Sequence, residues 1–368
     1  MNAPTPPELS EEFLTLQEIV CAAQRRLAPG PWAYLVGGTE TETTVKRNRQ
    51  ALDALAFRPR VLRDMRQLDV TAPFLSPRVS RRMRLPVMLA PIGGLESMVE
   101  GGAATAARGA ARFGVPQMLS SVCQPGPEAT AAAADTARLF QLYVRGDEAW
   151  VDEQVRRARD HGYVAFCFTV DSAHYSRRER DLLGRFVKPW RADAAQGAAF
   201  QASLSWAHVK RFKDQYPDMP LILKGVATAE DAMLALEHGV EVVYVSNHGG
   251  RQLDHGLGST TVLPQVLAAV KGKAEVWVDG GFMRGSDVVK AIALGANTVG
   301  LGRLACLGLA AAGEQGLVRV LELLEEEIRL CLALLGVNSL AELGPQHLAV
   351  ATPVGEPGVF SAFPLLTP

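Results

Sequence analysis

The chain of 368 residues is 48% hydrophobic, enough for one large α/β domain or two ordinary ones, and its 38 Lys plus Arg nearly cancel 39 Asp plus Glu to leave a net charge of -1. No global field therefore points to nucleic acid or an anionic membrane, and any anion site must be local. The five cysteines, Cys21, Cys123, Cys167, Cys306 and Cys331, lie far apart without C-x-x-C or Cys/His ligand spacing, which offers no disulfide framework and no metal site and fits a reduced, cytoplasmic protein.

Met1 to Leu27 shows neither a basic n-region nor an apolar h-region, so no leader is expected, and no uninterrupted apolar run reaches the roughly 18 residues of a membrane span. Residues 1–80 are expected to form a helical segment that caps the rest. Leu14, Leu16, Ile19, Val20 and Ala23 recur at rough helical spacing, Pro29-Gly30-Pro31 breaks the chain, and Phe57 to Ser80 is Pro-rich and irregular.

From Leu85 onward short β-type runs alternate with helical patterns. The expected strands are Pro86 to Ala90, Gln117 to Leu119, Leu139 to Val144, Ala165 to Val170, Leu221 to Lys224, Val242 to Ser246, Val276 to Val278 and Thr298 to Leu301. Between them lie helical stretches such as Ala103 to Phe113, Glu148 to His161, Ala229 to His238, Leu263 to Val270 and Asp287 to Leu294. Eight runs in this order spell a (β/α)8 TIM barrel over about residues 81–349, with the N-terminal helices as its cap. The alternative, a doubly wound open sheet, would carry G-x-G-x-x-G after its first strand, where this chain has Ala90-Pro91-Ile92-Gly93-Gly94. The longest connection, about 172–205, carries Ser176-Arg177-Arg178-Glu179-Arg180-Asp181 and the Ala/Gln-rich segment Ala192 to Ala202, and its length marks it as a lid. A helix from Leu317 to Leu335, whose Glu325-Glu326-Glu327 reads as an exposed face rather than a metal site, precedes an extended tail over 350–368.

Polar residues fall in register at the carboxyl ends of these strands: Ser120-Ser121, Gln141 and Tyr143, Thr169 and Asp171, Lys224, Ser246 to Arg251, Asp279-Gly280-Gly281, and Gly302-Arg303. In a barrel those ends converge on one face, where active sites are built. Each residue alone has a bland reading. Asp279 can cap a turn, Gln141 can satisfy backbone, Lys224 can snorkel, and Tyr34 can simply pack. The loop after Val242-Val243-Tyr244-Val245 is harder to dismiss, because it joins a titratable His248, two glycines and a forked Arg251 cation in one turn.

Ser246-Asn247-His248-Gly249-Gly250-Arg251-Gln252-Leu253-Asp254 resembles the FMN-dependent α-hydroxy acid oxidase and dehydrogenase family, which includes glycolate oxidase, lactate oxidase, lactate monooxygenase and mandelate dehydrogenase. Phe57-Arg58-Pro59-Arg60-Val61-Leu62, Phe140-Gln141-Leu142-Tyr143-Val144, Thr169-Val170-Asp171, Leu223-Lys224-Gly225-Val226, Asp279-Gly280-Gly281 and Leu301-Gly302-Arg303 extend the likeness over about residues 15 to 347.

The resemblance implies FMN as cofactor and oxidation of an (S)-2-hydroxy acid to the 2-oxo acid, with oxygen or another acceptor reoxidising the flavin. It makes His248 the base, with Asp171 stabilising its imidazolium. Arg178 and Arg251 grip the substrate carboxylate, while Tyr34 and Tyr143 bond the carboxylate and the reacting hydroxyl. Lys224 stands beside the flavin ring. Pro91, Ile92, Gly93, Ser120, Gln141, Thr169 and Ser246 make ring and ribityl contacts, and Asp279, Gly281, Gly302 and Arg303 hold the ribityl and phosphate end. Where relatives place a phosphate-facing Arg this chain has Met283, so either the adjacent Arg284 substitutes or FMN is held less tightly; Gly93 and Val122 also depart from common family residues. The lid lacks the long membrane-binding insertion of mandelate dehydrogenases, and a homotetramer is implied. Two rivals remain open: a non-catalytic flavin binder, and an FMN barrel acting as an isomerase or on a larger, peptide-derived substrate.

Overall fold

Eight strands close into a parallel barrel in the computed structural model, which describes residues 9–79, 81–191 and 194–366. Met1 to Glu8, Ser80 at the expected boundary, Ala192 and Asp193 at the start of the Ala/Gln-rich stretch, and Thr367 and Pro368 of the tail lie outside the described residues. The barrel strands are β1 (Val87–Leu89), β2 (Gln117–Ser120), β3 (Arg138–Leu142), β4 (Ala165–Thr169), β5 (Leu221–Val226), β6 (Val242–Val245), β7 (Glu275–Val278) and β8 (Thr298–Leu301). Each pairs with the next in sequence, and β8 returns to β1. Every residue of β1, β2, β4, β6 and β8 is buried. Walled by helices outside and side chains inside, such strands have no wet face, so they read as unbroken apolar runs rather than alternating ones.

The intervening helices Gly102–Phe113, Glu148–Asp160, Ala229–Glu237 and Gly285–Leu294 begin or end within two residues of the sequence expectation. Ser259–Val270 starts earlier, because its polar first turn is capped from outside: the Ser259 N–H donates to Asn48 Oδ1 at 3.0 Å. The C-terminal helical run extends over Arg303–Leu335, well upstream of Leu317, and breaks at Ala312 and Gly313. It contains a stretch apolar enough to cross a membrane, but 72% of that stretch is packed inside the protein, as befits a core helix.

The N-terminal helices Leu16–Arg26, Pro29–Val36 and Thr43–Asp53 lie against the barrel and are tied to the loops that follow β6 and β7. The first opens on a reciprocal cap in which Glu18 N–H donates to Thr15 Oγ1 and Thr15 N–H donates to Glu18 Oε2. Thr43–Asp53 is capped from across the chain by Asp254, whose carboxylate accepts from Thr44 N at 2.8 Å and Thr41 Oγ1 at 2.7 Å. The Asn48 and Asn247 amides bond reciprocally at 2.7 and 3.0 Å. Arg49 forks onto Asp287 with two bonds of 2.7 Å, and their side chains are 5% and 1% exposed. Because Asp287 also accepts from Met283 and Arg284 N–H, this pair fixes the end of the loop after β7. Arg49→Met leaves that carboxylate buried without its cation and is expected to cost about 3–5 kcal/mol of stability, measured by urea unfolding.

The stretch expected to be irregular is ordered in part. Within 57–80 and just beyond it, Ala72–Phe74 pairs with Arg81–Met83, and fully buried Phe74 stacks on Trp277 with ring centroids 5.9 Å apart. Ser76 N–H donates to Glu275 at the start of β7, so this hairpin sits at the barrel end opposite the polar loops. Leu55–Phe57 pairs with Leu348–Val350, and the tail then runs back over the cap: Phe360 stacks on Trp32 at 5.6 Å and Phe363 is buried.

Candidate active site

The turn after β6 holds His248, Gly249 and Gly250 at φ of 59°, 63° and 76°. A left-handed histidine costs of order 1–3 kcal/mol and persists only when its surroundings fix it. Here the His248 N–H donates to Ser246 Oγ at 3.1 Å, Nδ1 lies 3.1 Å from Asp171 Oδ1, and Nε2 lies 3.1 Å from the Tyr143 hydroxyl. Gly250 has no alternative, since a Cβ there would come within 2.6 Å of the Val45 backbone nitrogen.

Burial favours a neutral Asp171, but the charges of His248 and Lys224 and its hydrogen bonds prevail and hold the carboxyl at about 2. A carboxylate only accepts, so Nδ1 carries the proton and Nε2 presents its lone pair, taking the Tyr143 O–H. Burial pushes the His248 pKa below its usual value, Asp171 pulls it up, and Lys224 pushes it down again. Burial also works against a charged Lys224, yet the carboxylates of Asp279 and Asp171 more than offset it and keep the ammonium protonated. Lys224 Nζ donates to Ser246 Oγ at 3.0 Å, and Ser246 Oγ donates to Asp279 Oδ1 at 2.6 Å, linking β5, β6 and β7 by one chain.

These groups open onto a cavity at the carboxyl end of the barrel, whose wall includes Tyr34, Pro91, Ile92, Gly93, Tyr143, Arg178, Lys224, His248, Arg251, Asp279, Gly281, Gly302 and Arg303. Tyr34 donates to the Gly93 carbonyl at 3.1 Å, and the Arg251 guanidinium lies over the Tyr34 ring at 4.6 Å. Burial and neighbouring Arg178 both lower the Arg251 pKa, the signature of cations gathered where an anion would relieve them. Arg303 donates to the carbonyls of Leu35, Gly249 and Gly37, and burial beside Arg251 brings it down to about 9.

Ser120, Gln141, Thr169 and Ser246 are buried at the strand ends below this wall. Neither Gln141 Nε2 nor Gln141 Oε1 has a partner, and the Thr169 hydroxyl is also unmatched. Buried polar atoms left unpaired cost about 1–3 kcal/mol each, which marks a ligand edge rather than a core. A flavin ring presents donors and acceptors to match them, and its phosphate would meet Arg303 and the backbone of Gly281 and Gly302, so these residues fit FMN.

The expectation for Arg284 is corrected. Arg284 stands just before helix Gly285–Leu294, pairs with Glu327 of the C-terminal helix at 2.6 Å and lies over Phe363 at 6.0 Å, off the cavity wall. Buried Met283 occupies the wall instead, so Arg303 is the cation at that end among the described residues.

The lid is fastened rather than loose. Ser176 Oγ and Arg178 Nε both donate to the Arg251 carbonyl, and Arg178 Nη2 donates to Gln252 Oε1 at 3.0 Å. Gln201 accepts from Val144 N–H at 2.6 Å and donates to the Thr169 carbonyl at 2.9 Å. Lys188 and Asp181 form a buried ion pair beneath Tyr34 and Tyr175. Sequence reasoning passed over Tyr175, Trp190, Arg145 and Gln201 on this side, since no motif marks them. The length of the connection was the available signal.

A model of the FMN-dependent dehydrogenase family matches residues 23–350. The chain belongs to that family. As a flavoenzyme it is 37% identical to glycolate oxidase 1 of Zea mays over 358 residues, which cover 92% of this chain and 96% of the relative. Glycolate oxidase of Spinacia oleracea is 36% identical with the same coverage. Among solved structures, mandelate oxidase with (S)-2-phenylpropionate superposes with a TM-score of 0.84 at 36% identity, over 93% of this chain and all of that one. A soluble mutant of the membrane-associated (S)-mandelate dehydrogenase of Pseudomonas putida gives 0.84 at 34% identity, over 91% and 99%. The enzyme is therefore an FMN-dependent oxidoreductase on a (β/α)8 barrel.

The direction of the His248 shift sets a pH dependence. A base must be neutral to act, and a pKa below 6.5 keeps it so at neutral pH, with activity falling as acid protonates it. Asp171→Asn removes the group that raises the His248 pKa. The acid limb of kcat/KM is expected to move to lower pH while the plateau drops about 100-fold, as the developing imidazolium loses its counter-charge; a pH–rate profile of the variant checks both.

Proposed function

We infer that the enzyme oxidises (S)-2-hydroxy acids to 2-oxo acids. The observation that carries the reading is a neutral imidazole, held by Asp171 and lying at a cavity whose wall also bears the Arg178 and Arg251 guanidiniums and Lys224. When bound, FMN supplies the two-electron acceptor. Arg178 and Arg251 take the substrate carboxylate, and Tyr34, packed under Arg251, borders the same place. That orientation brings the substrate hydroxyl to Tyr143 and His248 Nε2, which receives its proton while Asp171 balances the charge formed on the ring. Contacts from Ser176, Arg178 and Gln201 hold the lid against the loop after β6 and the end of β4. Relatives named as glycolate oxidases and mandelate oxidases support this substrate class.

The reading extends to a cytoplasmic homo-oligomer using oxygen or another acceptor. Five free thiols support the reducing compartment. The direct test is product identification: incubation of the FMN-loaded enzyme with glycolate and with (S)-lactate- and (S)-mandelate-type acids should yield one equivalent of 2-oxo acid for each equivalent of acceptor reduced. No 2-oxo acid from any of them would defeat the reading.

A further inference from the structure

The lid contains a pair of charges to which the chemistry above gives no task. The side chains of Lys188 and Asp181 are 1% and 4% exposed and face each other as an ion pair. Taking two charges out of water is costly, and an apolar pair of similar volume often holds a fold as firmly. Their surroundings show what else the pair does.

A tight reversal of the chain brings the two together. Asp181 lies in the short helix Glu179–Leu183, whose first turn is closed by Leu182 N–H donating to the Arg178 carbonyl at 3.1 Å. Arg178 and Asp181 are therefore neighbours on one face, three residues apart. The helix stops at Gly184, Arg185 takes a left-handed φ of 52°, and Phe186 N–H donates back to the Asp181 carbonyl at 3.0 Å. Phe186 packs on Tyr34 with ring centroids 6.0 Å apart, and two residues further on Lys188 meets the Asp181 carboxylate.

Lys188 Nζ lies 5.5 Å from the centre of the Tyr34 ring and 5.4 Å from that of Tyr175, within the range of a cation–π contact. The same two rings carry the substrate-facing cations: Arg251 lies 4.6 Å from Tyr34, and Arg178 lies 4.6 Å from Tyr175. Exposed Arg191 also lies over Tyr175, at 4.5 Å, with its charge in water. Burial and Arg178 lower the Arg251 pKa, while Asp181 is among the groups that raise it, so this carboxylate is felt at Arg251. A buried carboxylate is strongly unfavourable without a cation. If Arg178 or Arg251 served Asp181, its fork would be lost to the substrate. Lys188 is a compact ammonium with no fork to lose, so it can satisfy Asp181 and leave both guanidiniums to the cavity.

We propose that Lys188 is a positioning residue that, by occupying Asp181, keeps Arg178 and Arg251 for the substrate carboxylate. This rests on the hydroxy acid reading above and adds what protects the carboxylate grip from a competitor inside the protein. Without Lys188, Asp181 draws a guanidinium to itself. Without both, no competitor remains.

The test measures kcat and KM of the FMN-loaded protein with glycolate, (S)-lactate and (S)-mandelate. It also measures binding of pyruvate and phenylglyoxylate, and of their neutral amides, by titrating the flavin absorbance. Lys188→Met should raise KM for the hydroxy acids about tenfold or more, as loss of a charge-assisted contact does, with kcat changed by a smaller factor. The 2-oxo acids should bind more weakly by a similar factor while their amides bind nearly as before. Asp181→Asn removes the competitor and should keep the acid-to-amide ratio at or above that of the wild type. Lys188→Met combined with Asp181→Asn should recover most of what Lys188→Met alone loses. A pair serving lid packing alone would lose acid and amide together in either single variant. Equal loss for acid and amide, a ratio lowered by Asp181→Asn, or a double variant no better than Lys188→Met overturns this inference alone. If the wild type neither oxidises any of the three acids nor prefers a 2-oxo acid to its amide, the hydroxy acid reading falls and this one with it. Should Lys188→Met fail to fold, Asp181→Asn and the double variant still decide.

Discussion

His248→Gln is expected to lower kcat/KM for 2-hydroxy acids by about 1000-fold or more while leaving FMN bound. A positioned general base contributes of the order of 10²–10⁴, and the imidazole is also the middle member of the contact network between Tyr143 and Asp171. The amide can bond to Tyr143 but cannot take a proton near neutral pH. The flavin contacts expected from Gln141, Thr169 and Lys224 belong to other strands, so the visible absorbance should persist. Loss of turnover together with loss of the yellow colour would mean that His248 supports the cofactor seat instead.

Arg251→Met is expected to be the second large effect, with kcat/KM for small hydroxy acids down by about 100- to 1000-fold. A forked, charge-assisted contact to a buried carboxylate contributes several kcal/mol once water is excluded. Arg251 also packs on Tyr34 and donates to the Gly37 carbonyl at 2.7 Å. Its removal therefore loosens the tyrosine that borders the same carboxylate place. Steady-state kinetics with a 2-hydroxy acid and with its neutral amide separate the two parts. The acid should lose its advantage over the amide, and an advantage kept by the variant would remove Arg251 from carboxylate recognition.

The barrel was legible because its strands are buried on both faces, so Val242–Val245 and Ala165–Thr169 stand out as compact apolar runs that stop at polar loops. His248, Arg251 and Asp171 could be singled out for the same reason: each lies just beyond such a stop. What could not be read is contact between distant segments. Asn48 and Asn247 are 199 positions apart, and nothing near either announces the other. The hairpin of Ala72–Phe74 and Arg81–Met83 has strands too short to show a period and is interrupted by Pro73 and Pro77. Arg284 was misplaced because adjacency in sequence to Met283 says nothing of direction. One residue further along, the helix has begun, and its side chain faces Glu327. Arg145 and Trp190 carry no motif, and only closure of the lid brings them together.

Anaerobic mixing of the FMN-loaded protein with the two enantiomers of a 2-hydroxy acid, followed by flavin absorbance, is the most direct measurement. Rapid bleaching by the (S)-acid, absent with the (R)-acid and slowed about 1000-fold in His248→Gln, is the expected result. A flavin that stays oxidised with every 2-hydroxy acid, or that bleaches equally fast without His248, would contradict an imidazole base working beside paired guanidiniums at this barrel mouth.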